Sequence, residues 1–276
     1  VIELWQQRST GFIKGAPTGE LSPSFVVEAA STTYPVFVDW GILDDLGKYL
    51  LGAGIRGPVY VITDSKVSEF HGQQVEEALK SSGIEVHGYT VAAGEASKTL
   101  GTAGDIYTWL AERRCERGHA IIAVGGGMVG DLAGFVAATF LRGVSVIQVP
   151  TSLAAMVDAS IGGKTAVNLP AGKNLVGAFY QPRFVLSDVS VLRTLPRRAL
   201  NSGWAEAIKH GLILDEALTL AGNDTQRSRQ SCQCRPTRQP LRWVSVDHYD
   251  LSTFGQLRAQ HDSRCCLASS ALGCGE

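Results

Sequence analysis

Gly125-Gly126-Gly127-Met128-Val129-Gly130-Asp131 fits the pattern G-x-G-x-x-G and stands between a short apolar run and a helix-forming stretch. Phosphate binding needs that context. Glycines let the backbone approach a pyrophosphate, and a helix N-terminus offers unpaired N–H groups at the positive end of its dipole. Taken alone, the motif is explained about equally well by a tight strand-to-helix turn with no ligand. No Asp or Glu stands between Asp131 and Asp158. The acid that holds a ribose about 20 residues on in a standard dinucleotide fold is therefore missing, and a dinucleotide here must have its ribose held differently.

Three further groups carry polar chemistry. Gly94-Glu95-Ala96-Ser97-Lys98-Thr99 follows a strand signal and puts a carboxylate and an ammonium where open α/β sheets bind ligands, although a solvated helix cap has the same composition. Pro150-Thr151-Ser152 opens the densest passage, with Asp158, Gly162, Gly163, Lys164, Thr165, Asn168, Lys173, Asn174 and Gly177. Its lysines and amides suit charge-assisted contacts to phosphate or carboxylate. Gly163-Lys164-Thr165 matches the end of a P-loop, but the first glycine of that loop would fall at Asp158, so an ATPase reading fails. In Ala205-Glu206-Ala207-Ile208-Lys209-His210, Glu206, Lys209 and His210 share one helix face. Glu206 and His210 could both touch one zinc ion, while a surface salt-bridge stripe is the commoner cause of such a string.

These groups need a scaffold, and the pattern supplies one. Val59–Thr63 and Ala120–Val124 are continuous apolar runs of the kind buried on both faces of a parallel sheet, and Val144–Val149 is a strand stopped by Pro150. Tyr34–Val38 and Ile84–Val91 add strand signals, and the stretches 42–51, 65–80, 99–114 and 131–140 read as helices between them. The alternation predicts a doubly wound, mostly parallel α/β domain over 34–195, preceded by a leader or linker over 1–33 with a helical start at Val1–Gln7. After Pro196 the strand signal stops, and Arg197–Leu220 reads as the start of a helical domain.

Composition bounds the rest. The 276 residues carry 25 basic and 26 acidic side chains, a net charge of -1, and are 45% apolar. That excludes a disordered chain and removes the electrostatic case for nucleic acid or an anionic membrane as partner. No apolar run reaches the roughly 18 residues of a membrane helix, and no secretory signal is visible, so the cytoplasm is the expected compartment. Five of the six cysteines (Cys232, Cys234, Cys265, Cys266 and Cys274) fall in the tail, in spacings that match no common zinc motif.

In this order the passages resemble 3-dehydroquinate synthase, a family of the sugar-phosphate cyclase superfamily. The resemblance rests on Gly94–Lys98, Gly125–Phe135, Pro150–Asp158, Gly162–Thr165, Lys173-Asn174 and Ala205–Gly211, and covers roughly residues 34 to 220. It implies an NAD-dependent cyclase with a divalent metal, usually zinc, that turns 3-deoxy-D-arabino-heptulosonate 7-phosphate into 3-dehydroquinate and phosphate in the shikimate pathway. The family's reaction runs through transient oxidation, phosphate elimination, return of the hydride and an intramolecular aldol. By similarity, Asp64, Glu95, Lys98, Gly126, Gly127, Asp131, Thr151, Ser152, Lys173 and Thr194 contact NAD. Asp158, Lys164, Asn174 and Lys209 face the substrate, and Glu206 is the carboxylate metal ligand. Arg142 matches an arginine that reaches the substrate phosphate of a partner subunit, which implies a homodimer. The resemblance gives His210 no metal role, since the family tolerates tyrosine there. Other sugar-phosphate cyclases share this chemistry, and a non-catalytic dinucleotide-binding fragment is the reading from another class.

Two departures follow. The family's two histidine metal ligands, one of them in Gly-His-Thr-x-Gly-His, have no counterpart, since His248 and His261 lack the neighbours and the spacing. From Asp215 onward there are seven arginines and no lysine, with no sustained helical period, so 221–276 is expected to be an aberrant tail of the kind a shifted reading frame produces. Zinc affinity and turnover are then expected to be severely impaired. The leader more faintly resembles the C-terminal end of shikimate kinase, in Leu4–Arg8, Thr18–Pro23 and Val26–Glu28, and with Val as first residue this suggests a piece of a fusion.

Overall fold

The computed structural model describes residues 21–29, 32–214 and 241–243. The helix expected over Val1–Gln7, the stretch 215–220 and the tail apart from 241–243 lie outside the described residues, as do His248, His261 and the tail cysteines.

Eight strands form one sheet: β1 (Phe25–Ala29), β2 (Thr32–Asp39), β3 (Val59–Asp64), β4 (Val86–Val91), β5 (Ala120–Gly125), β6 (Ser145–Pro150), β9 (Phe184–Asp188) and β10 (Leu241–Trp243). Their order is β10-β1-β2-β9-β6-β5-β3-β4, and every pair is parallel except β1 with β2. The expected doubly wound, mostly parallel α/β fold is present. A separate antiparallel hairpin joins β7 (Lys164–Leu169) to β8 (Gly172–Phe179). The helices are α1 (Leu46–Gly52), α2 (Ser65–Lys80), α3 (Leu100–Glu112), α4 (Gly127–Thr139) and α5 (Arg197–Leu214).

The apolar runs became central strands because both of their faces are covered. In β3, Val59 and Val61 join one buried cluster with Leu46, Leu50 and Leu79, while Tyr60 and Ile62 join another with Ile106, Leu110 and Leu132. β5 divides the same way, with Ile122 and Val124 in the first cluster and Ile121 and Ala123 in the second. Alternate residues thus face opposite helical layers.

Three expectations need correction. The sheet starts inside the presumed leader, because β1 pairs with β2 from Phe25↔Val36 to Ala29↔Thr32. Strands do not end before Pro196, since Leu241–Trp243 runs parallel to β1. Helix α4 begins at Gly127, four residues before the expected start at Asp131, so Gly127 and Gly130 belong to its first turn. Among the described residues no helix is long and apolar enough to cross a membrane.

Chain order reverses between β3 and β5: β4 lies on one side of β3, while β5, β6 and β9 run out on the other. Ligands of open α/β sheets bind at such a reversal, outside the carboxyl ends of the strands. Asp64 ends β3 and Gly125 ends β5, so the glycine motif opens onto that crevice.

Candidate functional site

Gly126 is the extended N-cap of α4, with φ -74° and ψ -174°, and neither a side-chain cap nor an acidic residue occupies the first turn. The amides there are left for an outside acceptor. A Cβ at Gly126 would lie 3.4 Å from Ser152 Oγ, and one at Gly127 would lie 3.2 Å from the Cβ of Ala159. Thr151 N donates to Gly125 O at 2.9 Å, which seats the Thr151-Ser152 turn against the glycine loop. These amides, with no side-chain cap bonded to them, fit the diphosphate of a dinucleotide. Asp64, across the crevice, caps α2 by accepting from Lys66 N at 2.9 Å and Val67 N at 3.1 Å. Capping therefore explains this aspartate without a ligand.

A charge network lies beside the loop. Lys98 is 3% exposed. Its Nζ donates to Asp131 Oδ2 at 2.6 Å and stands 3.7 Å from Glu95 Oε1. Burial raises the Asp131 carboxyl above its ordinary value, the Lys98 contact opposes that shift, and Glu95 and Asp158 reinforce it. The Glu95 carboxylate also accepts from Asn168 Nδ2 at 2.8 Å. Asn168 Oδ1 accepts in turn from Asn174 N at 2.9 Å.

The second cluster joins α5 to the π-helical turn Ala155–Ala159. One ligand atom each of Asp158, Glu206 and His210 lies within 4.8 Å of the others. His210 Nε2 is 3.7 Å from Glu206 Oε1, and Lys209 makes an ion pair with the same carboxylate. The salt-bridge reading of this helix face is realised at i, i+3, and Glu206 and His210 at i, i+4 stand close to one another. Two carboxylates and an imidazole fit a divalent ion such as zinc, and three protein ligands are the norm for catalytic zinc.

Not every expected residue converges. Lys164 starts β7 opposite Phe179, whereas Lys173 and Asn174 stand near the hairpin turn. Four residues of strand, roughly 13 Å, separate Lys164 from Asn168 and the network. Arg142 lies on the exposed turn Phe140–Arg142, beyond the far end of α4. The 13 residues of α4 put that turn about 20 Å from the glycine loop. Thr194 ends the 3-10 segment Val189–Thr194, where its hydroxyl donates to Val191 O at 2.9 Å and meets His71 Nε2 at 2.8 Å. His71 had no role on sequence grounds, and Asn168 had only the general one of an amide suited to an anion, with no partner assigned. Asn168 was one polar residue among many, and His71 sits in a helix whose pairing with Thr194 spans 123 positions.

Residues 88–202 match the family model described as 3-dehydroquinate synthase N-terminal. A 3-dehydroquinate synthase of Rippkaea orientalis is 49% identical over 192 residues, which are 70% of this chain and 52% of that protein. One from a Nostoc species is 43% identical over 215 residues, 78% of this chain and 58% of that protein. The resemblance expected from the motifs thus holds, and the chain spans about half the length of the curated relatives it matches. Among solved structures, a 2-deoxy-scyllo-inosose synthase complexed with carbaglucose-6-phosphate, NAD+ and Co2+ is 33% identical, with TM-score 0.65, over 68% of this chain and 52% of that one.

Proposed function

We propose that this chain carries the nucleotide-binding half of a 3-dehydroquinate synthase, which converts 3-deoxy-D-arabino-heptulosonate 7-phosphate to 3-dehydroquinate with loss of phosphate, a carbon–oxygen lyase step of the shikimate pathway. The observation that supports it is the side-by-side placement of an uncapped glycine loop, the Glu95–Lys98–Asp131 network and the Asp158–Glu206–His210 cluster at the carboxyl edge of one parallel sheet. When bound, NAD would supply a hydride acceptor restored at each turnover, and the divalent metal, zinc by the family pattern, would supply a Lewis acid. The α4 amides at Gly126 and Gly127 would hold the pyrophosphate, flanked by Asp64, Thr151 and Ser152, with Lys173 and Thr194 contacting NAD farther from that loop. Lys98, fixed by Asp131, places a positive charge beside that loop. Glu206 would hold the metal, with Asp158 and His210 beside it in place of the family's two histidines and at a weaker affinity, and Lys209 would leave Glu206 for an oxygen of the substrate. Lys164 and Asn174, at opposite ends of the hairpin, would face different parts of the substrate, with Arg142 supplied by the partner of a homodimer in the cytoplasm.

Calorimetric titration of NAD tests the first half of this reading, and phosphate release from the heptulosonate phosphate tests the second. Absence of NAD binding overturns the assignment. NAD binding without phosphate release supports the non-catalytic fragment for this polypeptide. A second reading, a cyclase acting on glucose 6-phosphate or sedoheptulose 7-phosphate, is favoured by the 33% identity to the inosose synthase. Turnover of one of those sugars in place of the heptulosonate would establish it.

A further inference from the structure

Asn168 makes three hydrogen bonds to three different site residues. Its backbone N donates to Lys98 O at 2.8 Å, its Nδ2 donates to Glu95 Oε1 at 2.8 Å, and its Oδ1 accepts from Asn174 N at 2.9 Å. A backbone bridge between Thr99 and Asn168 runs alongside. The amide orientation is dictated by its partners: a carboxylate can only accept and a backbone N–H can only donate. Asp at this position would keep the second side-chain bond and turn the first into carboxylate against carboxylate. Ser or Ala would lose the reach.

The two segments joined here differ in origin. Gly94–Lys98 follows β4 of the main sheet, whereas Lys173 and Asn174 begin β8 of the separate hairpin. Asn174 has a left-handed backbone, φ +57°, which its amide bond to Asn168 helps to hold. We infer that Asn168 is a positioning residue: it aims the Glu95 carboxylate at the cofactor side and fixes the hairpin turn that presents Lys173 and Asn174, so that cofactor and substrate contacts are set by one side chain. This inference rests on the NAD reading above.

A double-mutant cycle on the full chain tests it, with NAD affinity measured by calorimetry and thermal unfolding followed in parallel. Asn168→Asp is expected to weaken NAD about tenfold, the loss of a hydrogen bond to a charged group. In the Asn168→Asp background, Glu95→Gln is expected to recover most of that loss, because an amide at 95 can donate to a carboxylate at 168. Asn168→Ala, which adds no charge, is expected to weaken NAD about threefold and keeps the test available if the aspartate variant does not fold. Wild-type affinity in Asn168→Asp, or strictly additive effects in the cycle, would overturn the positioning role. A wild-type chain that binds no NAD at all would instead overturn the cofactor reading, and this inference with it.

Discussion

Lys98 and Asp131 form an ion pair that most of the protein's solvent cannot reach, and such pairs are costly to break from one side. Burial raises the Asp131 carboxyl, so between its ordinary and its raised value the folded chain binds the proton more readily than the unfolded one. Stability contributed by this group therefore falls as pH rises through that window. The pair is better suited to placing an ammonium than to holding the fold. Asp131→Ala should still cost about 2 kcal/mol in urea unfolding, because it strands the buried ammonium. His71 has the opposite sign of pH dependence. Burial lowers its pKa, so below about 6.5 the unfolded chain takes up a proton that the folded chain refuses. Stability should drop as pH falls from that value through the folded pKa. His71→Gln keeps a donor toward Thr194 and should flatten the slope relative to wild type, as thermal melts between pH 7 and 5 would read (a range chosen about the ordinary histidine value). Gly126→Ala is a cleaner probe of the pyrophosphate seat than Gly127→Val, whose Cβ would press on Ala159 at 3.2 Å and disturb the turn bearing Asp158. It should weaken NAD binding by calorimetry without moving the melting temperature.

At the scale of elements, the hairpin β7–β8 is held on α4 by close approach. A Cβ at Gly134 would stand 2.4 Å from Thr165 Cγ2 and 3.2 Å from Thr165 Cβ. Gly134→Val should therefore lift the hairpin at a cost of about 2 kcal/mol, and Thr165→Ser in the same chain should recover part of it by removing the methyl group. Equal unfolding midpoints in denaturant would refute that packing. Elements buried on both faces, such as β3 and β5, were legible in the sequence because a continuous apolar run fills most of each. The hairpin was not, because few of its residues are both apolar and buried: β7 buries only Thr165 and Val167, and β8 leaves Leu175 and Phe179 exposed. β9 was missed because Phe184–Asp188 ends in Ser187 and Asp188, polar residues that are nevertheless 1% exposed. Asp188 earns its burial through structure, accepting from Gly41 N, Leu43 N and Ser190 N. The glycine loop and the Glu95–Lys98 loop were legible as site segments. Their meeting with Asn168, and that of Asp158 with Glu206, are products of the topology and have no local signature.

For the whole molecule, the placement of Arg142 decides what assembly the proposed reaction needs. One chain cannot bring this guanidinium to its own glycine loop, since α4 intervenes. The turn that carries it is nonetheless tightly specified. Leu141 and Arg142 both have left-handed backbones, φ +49° and +65°, and Gly143 follows at φ +126°. Tyr180 donates its hydroxyl to Val144 O at 3.0 Å, which draws the end of β8 against the same corner. Leu141, next to Arg142 in the same turn, is exposed by 40%, and Phe179, which precedes Tyr180, is exposed by 78%. Exposed apolar side chains of this size suit burial against a second copy, and a contact through the Leu141 turn would direct the arginine across the boundary. A homodimer at micromolar concentration is the expected outcome of sedimentation velocity, with Phe179→Asp shifting it toward monomer by placing a charge in the contact. A wild-type chain that sediments only as monomer would sink the dimer, and Arg142 would then have no route to any anion at the site described.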